Sequence, residues 1–130
     1  ISTPVNNDTN LSDQDKELQI MAILQTARTF LGVPHVLGGM DNNGIDCSGL
    51  TSVSFKAANI TLPRVSYEQA TTGNNVVTSH LKPGDLVFFG TGTPGKINHV
   101  GIVSENTTPD NIKFIHASSS RGVIESSNSW

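Results

Sequence analysis

Cys47 is the single cysteine among 130 residues and follows Gly44, Ile45 and Asp46. Leu50, Val53, Ser54, Ala57 and Ala58 recur at three- and four-residue spacing, which predicts a helix whose first turn holds Cys47 and Ser48. Unpaired backbone N–H groups and the helix dipole favour an anion there, so the position is expected to lower the thiol pKa. Taken alone, an isolated cysteine reads more readily as a small buried hydrophobe. Its neighbours must decide.

Thiol catalysis needs an imidazole to take a proton and return it, and a third polar group to fix the imidazole's tautomer. His99 in NHVGIV and His116 in FIHASS both fall in candidate strands. Side chains alternate along a strand, so His99 shares a face with Gly101 and Val103, and His116 with Phe114 and Ile112. A simple hairpin turning near Thr107 and Thr108 sets His99 directly opposite His116, and Val103 opposite Ile112. That is the geometry of a base and its orienter. Each histidine alone reads as well as a polar strand residue with a structural hydrogen bond. His80, before a strand, reads as a surface loop residue. His35, in the glycine-rich loop leading to Cys47, is placed to line a cleft.

The elements that position these residues are legible in outline. Ser12 can cap a first helix over Asp13 to Leu31, with Asp13 and Asp15 at its positive end and Ile20, Ile23, Leu24, Ala27 and Leu31 at helical spacing. Gly32 and Pro34 end it. The segment GVPHVLGGMDNNGID holds four glycines and must let backbone pass close to a neighbour. Strand candidates follow at Leu86 to Phe89, His99 to Ser104, Ile112 to Ala117 and Gly122 to Ser126. Helices first and strands afterwards argue an α+β domain over residues 13–130 with an antiparallel sheet, after a polar tail or linker at residues 1–12. Such a length is a single domain.

Eight basic against eleven acidic residues give a net charge of -3, without the basic footprint a phosphate backbone demands, so nucleic acid is excluded as an expected partner. No stretch approaches the ~20 apolar residues of a membrane span. One cysteine rules out an internal disulfide and any multi-thiolate metal site. The chain opens on Ile1 rather than Met, as after removal of an export signal, and its first residues decide nothing about compartment. Asn-x-Ser/Thr triplets begin at Asn7, Asn10, Asn59 and Asn106 and read as coincidence in a chain rich in those residues.

Six blocks in order, PHVLGG, GIDCSGL, LPRVSYEQ, LKPGDLVFF, HVGIV and FIHASS, resemble the NlpC family of bacterial cell-wall cysteine peptidases. The resemblance implies a papain-like fold: N-terminal helices on a central antiparallel sheet, with the nucleophile at a helix N-terminus. It implies Cys47 as nucleophile, His99 as base and acid, and His116 as orienter, in a secreted or cell-envelope hydrolase of peptidoglycan stem peptides. The bond expected is D-γ-glutamyl to diamino acid, with no cofactor and no metal. Asp46 and Ser48 would read the free amine of the stem, although Asp46 serves equally as a helix cap and Ser48 as a first-turn hydroxyl. His35 stands where the family usually has tyrosine, which puts that substrate contact in question. Arg64, Ser66 and Gln69 match a family block and read as helix capping and cleft wall. The rival readings are a zinc hydrolase on Cys47, His99 and His116, an inactive wall-binding module, and a transferase or amidase acting on another substrate.

Overall fold

The computed structural model describes residues 2–3, 12–76, 80–90, 96–106 and 112–127. Its elements run β1 (Ser2–Thr3), α1 (Asp13–Thr29), β2 (Met40–Asp41), β3 (Gly44–Ile45), α2 (Cys47–Lys56), α3 (Ser66–Gln69) and β4 (Asn74–Asn75). They continue with β5 (Leu86–Phe89), β6 (His99–Asn106), β7 (Ile112–Ser118) and β8 (Gly122–Ser127). Strand β5 has the expected bounds, and the later three start where expected and run one or two residues longer. Ser2 and Thr3, inside the stretch expected to be a polar tail, pair with β4 and β5. Residues 4–11 of that stretch lie outside the described residues.

Ser12 caps α1, its hydroxyl accepting the Asp15 amide at 3.1 Å. Asp13 and Asp15 in the first turn and Arg28 in the last complement the dipole. The helix stops at Thr29 rather than Leu31: Phe30 turns inward and is buried, while Leu31 stays 44% exposed. Gly32, at φ 90°, and Val33 then exchange backbone hydrogen bonds of 2.9 Å with Val123, so the chain leaves the helix to join the sheet. The expected apolar face holds at Ile23 and Ala27, both buried, with Leu24 packed beside them.

The main sheet is antiparallel, in the order β4-β1-β5-β6-β7-β8. Helix α2 packs against α1 on one side and against β6 and β7 on the other. Alternation sorts the strand residues into two buried clusters. Leu86, Val100, Ile102, Ile115, Ala117 and Val123 meet Ile23, Ala27, Leu50 and Phe55 from the helices. Val87, Val103, Ile112 and Phe114 pack together with Leu81.

The register between β6 and β7 differs from expectation. Ile102 pairs with Ile115 and Val103 with Phe114, and a bulge between Val103 and Glu105 shifts the remainder. Carried toward His99, that pairing sets Gly101, not His99, opposite His116. The histidines are therefore diagonal rather than directly opposed. The slip is two residues, and an even slip preserves the face each side chain occupies. Bulges are not visible to a residue count, and the turn expected at Thr107 and Thr108 lies outside the described residues.

Candidate active site

Asp46 is the N-cap of α2, and its Oδ1 accepts the Gly49 amide at 2.7 Å. The glycine-rich loop folds over this cap. Its Gly38 amide donates to Asp46 Oδ2 at 2.8 Å, and Gly39 O accepts the Asp46 amide at 3.1 Å. The close approach expected of these glycines is present at two of them: a Cβ on Gly39 would stand 2.3 Å from Gly44 O and one on Gly44 2.2 Å from Val36 Cγ2, while across the contact a Cβ on Gly49 would stand 2.4 Å from Gly39 O. The helix start is thus locked against a loop that tolerates no side chain there.

This locking presents Cys47, half-buried, at the first position of α2. Its Sγ lies 4.0 Å from Asn98 O, at the foot of β6 beside His99. The expected lowering of the thiol pKa does not hold. Burial pushes it up, and the neighbouring Asp46 carboxylate adds to this, while backbone amides of Val100, Ser48 and Cys47 pull down without prevailing. Helix-terminal donors do reach the sulfur, but desolvation outweighs them.

His99 Nε2 lies 2.8 Å from His116 Nδ1, so the histidines meet despite their diagonal register. Diagonal neighbours on one face are within reach of long side chains. Gly101 between them makes it possible, since a Cβ there would stand 2.9 Å from the Phe114 ring and 3.3 Å from His116 Cβ. The two rings meet edge to face at 81°, and Phe114 flanks His116 at 4.8 Å between centroids. His116 is fully buried, and its Nε2 stands 2.8 Å from Ser126 Oγ on β8.

Burial, then electrostatic interaction with His35, holds His99 down to about 4; burial, then His99, does the same for His116. Both rings are therefore neutral at pH 7. A thiol whose pKa is raised and an imidazole whose pKa is lowered, lining one pocket, suit general-base catalysis.

One pocket of about 720 Å³ gathers Cys47, His99, His35, Asp46 and Ser48, with Arg64 and Tyr67 on its wall. His116 lies behind His99 and is not among the lining residues. Leu37, 88% exposed, and Tyr67, 62% exposed, supply apolar rim that the sequence reading passed over.

Three further residues were placed only in part by sequence reasoning. Arg64 is expected to cap a helix or line the cleft. It lines the cleft, and it also donates to Ser48 Oγ at 2.8 Å and to Asp46 Oδ2 at 3.1 Å. The N-cap of α3 is Val65, which makes no side-chain capping bond, so neither Arg64 nor Ser66 caps that helix. Gln69 is fully buried: its amide nitrogen faces Ser48 O, Ser52 Oγ and Pro63 O, and its oxygen accepts Thr51 Oγ1 at 2.7 Å. It stitches α2 to the loop bearing Arg64. Ser126 carried no motif that would have singled it out.

The arrangement gives the zinc reading no support. Both nitrogens of His116 are engaged, one with His99 and one with Ser126, and among the described residues no three His, Cys, Asp or Glu side chains converge as a metal site. Among those residues, too, no helix is long and apolar enough to cross a membrane.

Comparison with known proteins gives the family. Over 97 residues the chain is 45% identical to the Escherichia coli (strain K12) Murein DD-endopeptidase MepS/Murein LD-carboxypeptidase, covering 74% of this chain and 48% of that protein. Over 81 residues it is 42% identical to the Bacillus subtilis (strain 168) Gamma-D-glutamyl-L-lysine dipeptidyl-peptidase, covering 62% of this chain and 27% of that one. The chain thus spans about half or less of the length of these relatives. The crystal structure of the NlpC/p60 domain of the peptidoglycan hydrolase SagA superposes with a TM-score of 0.72 at 31% identity, over 85% of this chain and 91% of that one. Residues 32–129 match the NlpC/P60 family, and the chain belongs to it.

Proposed function

We propose that this chain is a cysteine peptidase acting on the peptide stems of bacterial peptidoglycan, in the cell envelope or outside the cell. The observation that carries the reading is the convergence of Cys47, at the tip of α2, and His99, backed by His116, on one cleft. The names of its relatives, a murein endopeptidase and a γ-D-glutamyl peptidase among them, support the substrate class.

In this mechanism the neutral His99 accepts the Cys47 proton as the sulfur attacks the amide carbonyl. Backbone N–H groups at the start of α2, including that of Cys47, hold the oxyanion. The C–N bond breaks, His99 returns the proton to the departing amine, and a thioester remains. His99 then takes a proton from water as its oxygen attacks the thioester carbon; the C–S bond breaks, the acid leaves, and His99 returns the proton to the sulfur to restore the thiol. An imidazolium of low pKa is a ready donor to the leaving amine, so the depressed basicity of His99 serves the second half of each transfer.

The bond proposed is that between D-γ-glutamate and the diamino acid. Asp46, Ser48 and His35 are the proposed substrate contacts. Asp46 offers about four acceptor sites, and Gly38, Gly49, Ser48 and Arg64 already occupy its two oxygens. Reading a stem amine through Asp46 therefore requires one donor to yield. Of these donors Gly38, Ser48 and Arg64 line the pocket. Mass spectrometry of purified muropeptides after digestion by wild type and Cys47→Ala tests the proposal. New fragments split after D-γ-glutamate, formed by wild type alone and dependent on a free stem amine, are expected. An intact muropeptide pool after wild-type digestion would overturn the peptidase reading; cleavage at another bond would overturn only the bond.

A further inference from the structure

We propose that Ser126 is a positioning residue: it ends the His99–His116 hydrogen-bond chain as an acceptor, and so supports the charged state that His99 passes through. The proposal rests on the reading of His99 as base.

The chain runs across three adjacent strands. His99 Nε2 is 2.8 Å from His116 Nδ1, and His116 Nε2 is 2.8 Å from Ser126 Oγ. Ser126 pairs with Phe114, two residues from His116 on the same face of β7, so it too reaches His116 diagonally. Each gap holds one proton, and two arrangements satisfy a neutral pair. In one, His99 donates from Nε2, His116 accepts at Nδ1, and His116 donates from Nε2 to Ser126. In the other every bond is reversed, and His99 carries its proton on Nδ1.

Only the first arrangement leaves His99 Nδ1 able to take a proton. It is also the only one that survives the transfer. Once His99 is an imidazolium both of its nitrogens are donors, so His116 Nδ1 must accept and a neutral His116 must carry its proton on Nε2. That N–H lies in a fully buried ring and needs an acceptor, because a buried donor left unpaired carries its whole desolvation penalty. Ser126 Oγ is the acceptor in place. A hydroxyl also suits the position by its neutrality: it takes the bond without adding a negative charge. Among the described residues, the ionisable groups nearby are His35 and Cys47 in the pocket with His99, the Asp46–Arg64 pair behind Cys47, and Glu125, which is bound to Arg28 and Ser104.

The test combines nitrogen NMR of the whole chain, labelled at histidine, with steady-state kinetics on a muropeptide at neutral pH. In wild type, His116 is expected to carry its proton on Nε2. Ser126→Ala is expected to shift that signal toward a mixture of tautomers and to lower kcat by about tenfold or more with KM unchanged. Ser126→Thr, which keeps the hydroxyl, is expected to restore both. Wild-type His116 protonated on Nδ1 overturns the proposal without any variant, even if Ser126→Ala does not fold. An unchanged spectrum with undiminished kcat in Ser126→Ala overturns it as well. The expected tautomers in a protein that cleaves no muropeptide leave the chain of bonds standing and overturn the peptidase reading instead.

Discussion

Arg64 reaches from the loop before α3 to place Nη2 3.1 Å from Asp46 Oδ2, tying the wall of the cleft to the cap of the helix that bears Cys47. Its Nη1 holds Ser48 Oγ at 2.8 Å, so one guanidinium grips both residues flanking the sulfur. The pair is only partly covered, with 36% of the Arg64 side chain exposed, and its worth lies in geometry more than in Coulomb attraction.

Arg64→Ala should therefore cost about 1–3 kcal/mol of stability, from two charge-assisted bonds lost and the Asp46 carboxylate left short of a donor. Activity should fall further than stability implies, because the first turn of α2 loses its outer brace. Arg64→Lys cannot span both partners with a fork and should recover stability only in part. Thermal melts beside kcat on a muropeptide separate the two effects.

Cys47→Ala and His99→Ala should each remove about 10³-fold or more of the hydrolytic rate while leaving circular dichroism unchanged. His116→Ala should cost about 10²-fold, since it misplaces His99 rather than removing a reacting atom. Mutant protein that digests purified wall at the wild-type rate sinks the assignment of that residue.

The free enzyme should hold Cys47 as a thiol at neutral pH. Alkylation by iodoacetamide in the absence of substrate should rise with pH to a midpoint above the ordinary thiol value, because burial opposes the anion. A plateau of rapid alkylation already reached below pH 7 would contradict the neutral pair.

Stability should fall in mild acid on account of the same two rings. His99 and His116 titrate near 6.5 in the unfolded chain and at about 4 in the fold, so below pH 6.5 the unfolded state binds protons that the native state refuses. Their contribution is complete above pH 6.5 and is lost as pH falls toward 4. Melting temperature followed from pH 7 to pH 4 should drop, and His116→Asn should flatten that drop.

Gly101→Ala should destabilise by about 1–3 kcal/mol through overpacking, because the new methyl meets the near edge of the Phe114 ring rather than a movable tip. It should also part the histidine rings and lower kcat beyond the stability loss. A variant with wild-type melting and wild-type kcat would show that the close approach at Gly101 is not required.

Much of this protein is written locally. The cap at Ser12, the cysteine opening a helix behind Asp46, the glycines at the crossing loop and the alternation of β6 and β7 all follow from residues within a few positions of one another. Short-range sterics and hydrogen bonding determine them. Face assignments survived at the histidine end even though the register did not, because a two-residue slip there returns each side chain to the same side of the sheet.

What only the folded chain decided depends on neighbours distant in sequence. The pairing of β6 with β7, shifted by one residue at the bulge after Val103, set the histidines on a diagonal, Gly101 gave their rings room, and Ser126, ten residues beyond His116, supplied the last hydrogen-bond partner. The sign of the thiol shift was likewise beyond local reading. A helix start announces its donors in the sequence, but the desolvation that outweighs them comes from everything packed around Cys47, and burial is a property of the assembled core.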